Sequence, residues 1–113
     1  MKNSPLAPIY KALTATKIIA NLAKLEGWRL SGDGPDVVIE KTYRFASYAQ
    51  TMAFVNSVAW LAQANNHHPT LQVLFDRCVV HYQTHDVAGL SLADFQNAAA
   101  VDALPMAQTP AQP

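Results

Sequence analysis

The sequence predicts an α+β domain, a two-layer α-β-β-α-β-β-α sandwich with an antiparallel four-stranded sheet and three helices on one of its faces. Apolar residues recur at helical spacing in three stretches, each preceded by a Ser or Thr able to cap a helix. Between these stretches lie four short β-rich runs, grouped in two pairs about turn-forming residues. Connections that short make antiparallel hairpins, and helices placed between hairpins are expected to cover one face of the resulting sheet.

Residues 1–10 contain Pro5 and Pro8 and no sustained periodicity, and are expected to be an irregular N-terminal segment. Thr14 is the expected N-cap of a first helix over Ala15 to Glu26, whose apolar face is Ala15, Ile18, Ile19, Leu22 and Leu25. Gly27 follows as the residue that tolerates a left-handed C-terminus. Trp28–Leu30 reads as a short strand and 31–36 (SGDGPD) as a turn. Along 37–45, Val37, Ile39, Tyr43 and Phe45 share one face, and Lys41 interrupts it, as expected near an edge. Ser47 and Gln50 have the spacing of a capping box opening a helix over Tyr48 to Ala64, with Phe54, Val55, Val58, Leu61 and Ala62 as its buried stripe. Asn65, Asn66 and Pro69 end it. A second hairpin turns at Asp76-Arg77, with Cys78, Val80 and Tyr82 facing the core. Ser91 and Asp94 then open a helix to about Ala103. Residues 11–104 form the expected domain, and 105–113, rich in Pro, Ala and Gln, the expected disordered tail.

At 113 residues the chain is long enough for one domain that buries roughly 65% of its unfolded surface. Eight basic and eight acidic residues cancel without clustering, so neither a nucleic-acid nor a polybasic membrane surface is expected. No stretch has the length of a membrane span, and residues 1–8 lack the apolar core of a signal peptide. With a single cysteine, Cys78, these features lead us to expect a cytoplasmic protein and a buried, inert thiol.

The chemistry concentrates in histidines. His67 and His68 stand where Pro69 forces a helix to stop, and His85 follows the last strand just before the third helix. We read these three as one site assembled from two element ends. Taken alone, His67 and His68 could serve only to complement a helix C-terminus, and Asp94 only to cap the third helix. His81 reads as a surface or subunit-contact residue. Adjacent His67 and His68 cannot readily both aim at one ion, and no Cys or acidic residue completes a zinc spacing, so no metal is expected.

The run Asn66-His67-His68-Pro69, then Phe75, then Thr84-His85-Asp86-Val87-Ala88-Gly89-Leu90-Ser91 and Asp94, resembles the pterin-4a-carbinolamine dehydratase family. Gly27-Trp28, the strand end Tyr43-Arg44-Phe45 and the helix face Phe54/Val58/Ala59 extend the likeness over about Thr14 to Asp102. The resemblance implies dehydration of a 4a-hydroxytetrahydrobiopterin-type carbinolamine, left behind by aromatic amino-acid hydroxylases, to the quinonoid dihydropterin. It implies His67, His68 and His85 as the binding and acid/base residues, and Gln63, Thr84, Asp94 and Trp28 as substrate-contacting positions. It requires no cofactor. It also implies a homodimer or homotetramer, for which the partly apolar outer positions Leu74 and Val79 offer contact surface.

One position departs from the family pattern. Four residues before His67 the family typically carries Glu, and this chain has Gln63. A carboxylate one helical turn from an imidazole stabilises its protonated form, which an amide does not, so the site is expected to be electrostatically weakened. Some proteins of this fold are thought not to be enzymes. One carboxysome-associated group acts in assembling Rubisco, and an animal relative doubles as a dimerisation cofactor for a transcription factor. A catalytically weak assembly factor is therefore the second reading.

Overall fold

The computed structural model describes residues 8–108. Its helices are α1 (Ala15–Leu22), α2 (Tyr48–Asn65) and α3 (Leu92–Asp102), and its strands β1 (Arg29–Ser31), β2 (Val38–Arg44), β3 (Thr70–Leu74) and β4 (Arg77–Tyr82). The element order is the one expected, as is the α+β class. All pairings are antiparallel and the sheet order is β1-β2-β4-β3, so the two hairpins join through their second strands, from Ile39 opposite Tyr82 to Arg44 opposite Arg77. No described helix is long and apolar enough to cross a membrane.

This order puts the two most apolar faces at the centre. Ile39 and Tyr43 of β2 and Cys78, Val80 and Tyr82 of β4 are buried in one cluster with Phe54 and Val58 of α2 and Phe95, Ala98 and Val101 of α3. Each such side chain contributes about 1.5–3 kcal/mol when removed from water, so this seam fixes the helix layer on the sheet. Burial also pushes the Cys78 thiol up to about 11, which keeps it protonated and unreactive at neutral pH. β1 begins at Arg29, opposite Glu40, so β2 has a strand on only one side from Lys41 onward. There the Lys41 ammonium reaches the Glu26 carbonyl at 3.0 Å and the Asp102 carboxylate at 2.9 Å. On the open face of the sheet Glu40 accepts from Arg29 at 2.6 Å and lies 3.0 Å from His81, and the Arg29 guanidinium holds its carboxyl below the ordinary value.

The ends of elements depart from expectation in two places. Thr14 caps α1 as expected, accepting from the Lys17 N–H at 3.3 Å, but the helix stops at Leu22 instead of Glu26. Lys24 and Leu25 bond three residues back, to Asn21 and Leu22, so the chain tightens while Leu25 still reaches the core. An i, i+3 repeat fits such turns as well as an α-helix, and so the periodicity overran the end. Gly27, at φ +85°, then completes the turn into β1, the conformation for which glycine suits it. The second departure is the tail. Pro105–Gln108 is a 3-10 turn and not disordered, because Met106 and Ala107 pack against the core and Gln108 donates to the Asp102 carbonyl. Residues 109–113, like 1–7 of the N-terminal segment, lie outside the described residues; within that segment Pro8–Tyr10 forms a further 3-10 turn.

Candidate functional site: a carboxylate-anchored histidine at a polar cleft

The end of α2 determines where the first histidine goes. Ser47 caps the helix start at 3.1 Å from the Gln50 N–H, and after the eighteen residues of the helix Asn66 ends it in the left-handed region (φ 49°, ψ 41°). That turn takes the chain off the helical path, with the His67 N–H bonding five residues back to the Ala62 carbonyl at 3.3 Å. Asn65 fastens the same end to α3, its amide donating to Asn97 Oδ1 at 3.0 Å while the Asn97 amide donates to the Ala93 carbonyl at 2.8 Å. His67 therefore turns inward and is buried.

What it meets is Asp94, a fully buried carboxylate in the first turn of α3. His67 Nε2 lies 2.7 Å from Asp94 Oδ1. Asp94 Oδ2 accepts from the Ser91 N–H at 2.9 Å and from the Thr84 hydroxyl at 2.8 Å. Thr84 has one proton and gives it to the carboxylate, so the 2.6 Å contact between the Thr84 and Ser91 hydroxyls has Ser91 as donor. The helix N-terminus adds its positive end to these three donors, and together they make an ionised carboxylate tolerable at full burial. An ionised carboxylate only accepts, so the imidazole proton sits on Nε2. Nδ1, which has no hydrogen-bond partner among the described residues, is left as the free lone pair.

His67 lies on a cleft of about 390 Å³ together with His68, His85, Thr84, Gln83, Asp86, Asn66 and Tyr10. The 84–89 loop brings His85 there. Thr84 and Gly89 bridge each other, with the Thr84 N–H 3.0 Å from the Gly89 carbonyl, and Ala88 adopts a left-handed conformation (φ 49°) to close the turn. His68 and His85 are exposed at the rim of the cleft. Tyr10 was not singled out by sequence reasoning. Its ring centroid is 6.0 Å from that of His67, and the only trace in the sequence is an aromatic residue in a short proline-bearing stretch.

Two expected positions are elsewhere. Gln63 is exposed and makes no hydrogen bond to His67. The i, i+4 relation that would join them holds only within a helix, and the left-handed Asn66 breaks it. The carboxylate that serves His67 comes from Asp94, 27 residues along the chain. Trp28 is buried, and its indole N–H donates to Asp102 Oδ2 at 3.1 Å. Asp102 also accepts from Lys41 and from the Tyr43 hydroxyl, whose titration is pushed far above its usual range by burial and by that carboxylate. This cluster borders a second cleft of about 390 Å³ that shares no residue with the histidine cleft. The polar groups of the cluster are bonded to one another, so it reads as a fastening of β1, β2 and the C-terminal turn to α3.

The α+β sandwich thus gathers a carboxylate-anchored histidine and two exposed histidines at one cleft, groups of a type able to give and take a proton. A family model described as pterin 4 alpha carbinolamine dehydratase matches residues 11–104. A protein of Paracidovorax citrulli named "Putative pterin-4-alpha-carbinolamine dehydratase" is 57% identical over 94 residues, covering 83% of this chain and 81% of its own. One of the same name from Chromobacterium violaceum is 47% identical over 83 residues, covering 74% and 73%. The chain belongs to the pterin-4a-carbinolamine dehydratase family. Among solved structures, a transcriptional coactivator/pterin dehydratase from Brucella melitensis shares the fold (TM-score 0.76, 24% identity, 82% of this chain and 97% of that one). A pterin dehydratase-like protein identified as a RuBisCO assembly factor in the alpha-carboxysome is also similar (TM-score 0.62, 27% identity, 74% and 93%).

Proposed function

We propose that this protein dehydrates a pterin 4a-carbinolamine to the quinonoid dihydropterin by histidine acid/base catalysis. The observation that carries the reading is the buried Asp94–His67 pair, in which three hydrogen bonds to one carboxylate hold an imidazole at a cleft. The substrate loses a hydroxyl from C4a and a proton from the adjacent N5. His67, its Nε2–H held by Asp94, takes the N5 proton at Nδ1. The N5 electron pair then forms the N5=C4a bond as the C4a–O bond breaks. His85 or His68, acting as the general acid, protonates the departing oxygen, which leaves as water. Tyr10, tilted against His67, offers an aromatic wall for the pterin ring. We further infer a cytoplasmic homodimer or homotetramer, consistent with the exposure of Trp60 and Phe75.

Titrating a non-reactive dihydropterin analogue tests this reading. Wild type is expected to bind it, and His67→Ala and His85→Ala are each expected to weaken binding about tenfold or more while remaining folded, since both histidines sit at element ends. Unchanged affinity in both variants would remove the pterin from this cleft. The likeness to a RuBisCO assembly factor supports the second reading, a protein-binding member of the fold, which absence of analogue binding by wild type would favour.

Gln63→Glu separates the structural account from the family pattern. With Asp94 already on His67 and Gln63 on the outer face of α2, the substitution is expected to change the dehydration rate by less than about threefold. A tenfold acceleration in steady-state assays would mean that position 63 reaches the reacting groups.

A further inference from the structure

We propose that the ring of Tyr82 is a positioning residue for His67, fixing the plane of the imidazole so that Nδ1 faces the cleft. The proposal rests on the acid/base reading above and adds a residue that reading does not use.

A single hydrogen bond from Nε2 to Asp94 fixes one point of the ring and leaves it free to swivel about the bond. Nδ1 lies off that axis, so swivelling would swing its lone pair away from any fixed substrate atom. Something has to fix the plane. The Tyr82 ring is parallel to the imidazole, with an interplanar angle of 8° and centroids 5.6 Å apart, an offset stack. Tyr82 is itself held. It is the last residue of β4, paired with Ile39, and has no exposed surface. Trp28 lies against it at 6.2 Å, and Trp28 is in turn tied to Asp102. The same strand end delivers Thr84 two residues later to the Asp94 carboxylate. One stretch of chain thus sets both the anchor of the imidazole and its plane.

The Tyr82 hydroxyl does not account for the residue. It is buried without a hydrogen-bond partner among the described residues. A phenylalanine would do as well for packing alone and would not bury an unpaired polar atom. The part of Tyr82 that meets the site is the aromatic face, so the proposal makes opposite claims about removing the hydroxyl and removing the ring.

The experiment compares Tyr82→Phe with Tyr82→Leu, using Tyr82→Met, an unbranched side chain of similar length, if the leucine variant does not fold. Tyr82→Phe is expected to keep kcat within about twofold of wild type. The aliphatic variant is expected to lose about tenfold or more in kcat with KM within about twofold, because binding survives and alignment does not. A readout independent of catalysis is the proton NMR signal of His67 Nε2–H. It should be resolved in wild type and Tyr82→Phe, and broadened by solvent exchange in the aliphatic variant as the Asp94 bond loosens. If the aliphatic variant keeps both kcat and the Nε2–H signal, or if Tyr82→Phe loses them, the proposal is wrong. Should wild type prove inactive, the acid/base reading fails while the NMR comparison still decides the role of Tyr82.

Discussion

Asp94→Asn is expected to lower kcat by up to about ten-thousandfold, the drop found when the carboxylate that orients the histidine of a Ser-His-Asp triad becomes an amide. The reason is the direction of each hydrogen bond. The Ser91 N–H and the Thr84 hydroxyl both donate to Oδ2, so the amide oxygen of an asparagine would occupy that position. Its NH2 group would then face His67 Nε2, which must accept and so gives up its proton. The imidazole proton moves to Nδ1, the atom proposed to receive a proton from the substrate. The asparagine oxygen can still accept from the Ser91 N–H and the Thr84 hydroxyl, so the stability change is expected to be only about 1–2 kcal/mol in thermal or urea unfolding. A kcat within threefold of wild type would show that His67 does not act at Nδ1.

The largest effect on stability is expected at the other cluster. Asp102→Ala removes the acceptor of the Trp28 indole, the Lys41 ammonium and the Tyr43 hydroxyl together. Trp28 and Tyr43 are buried, so two polar hydrogens are left without partners, whereas Lys41 can turn partly to water. Discounted for that partial exposure, the cost is about 2–3 kcal/mol, or a Tm lower by about 10–20 °C for a domain of this size. Activity measured well below the new Tm should be retained, because this cluster shares no residue with the histidine cleft. A small change in Tm would mean that the cluster does not fasten α3 to the sheet, and its cleft would then need another explanation.

The fold was legible because its elements are long enough to repeat. The stripe Phe54, Val58, Ala62 on α2 and the alternation Cys78, Val80, Tyr82 on β4 are the buried faces the structure uses. Short features escaped. A four-residue turn such as Pro105–Gln108 has no period to detect, yet it buries part of Met106, and Tyr10 reaches the histidine cleft from a three-residue turn. The three histidines were found because they stand at element ends marked by Asn66-Pro69 spacing and by a strand-to-helix junction. Asp94 was singled out from the family resemblance, but its contact with His67 was harder to read. Local spacing pointed to Gln63, one turn before His67, but a single left-handed residue cancelled that relation. The partner arrived instead from α3, through a tertiary contact that no local rule reports. Trp28 illustrates the same limit, since its indole finds Asp102 across 74 residues of sequence.

The most direct measurement is the rate at which purified wild-type protein consumes a freshly generated pterin 4a-carbinolamine, followed by absorbance against the uncatalysed decay at neutral pH. The account predicts catalysis that saturates with substrate, exceeds the uncatalysed rate by at least about a hundredfold and is abolished in His67→Ala. A wild-type rate equal to the uncatalysed decay, in protein that is folded and keeps the His67 Nε2–H signal, would contradict it.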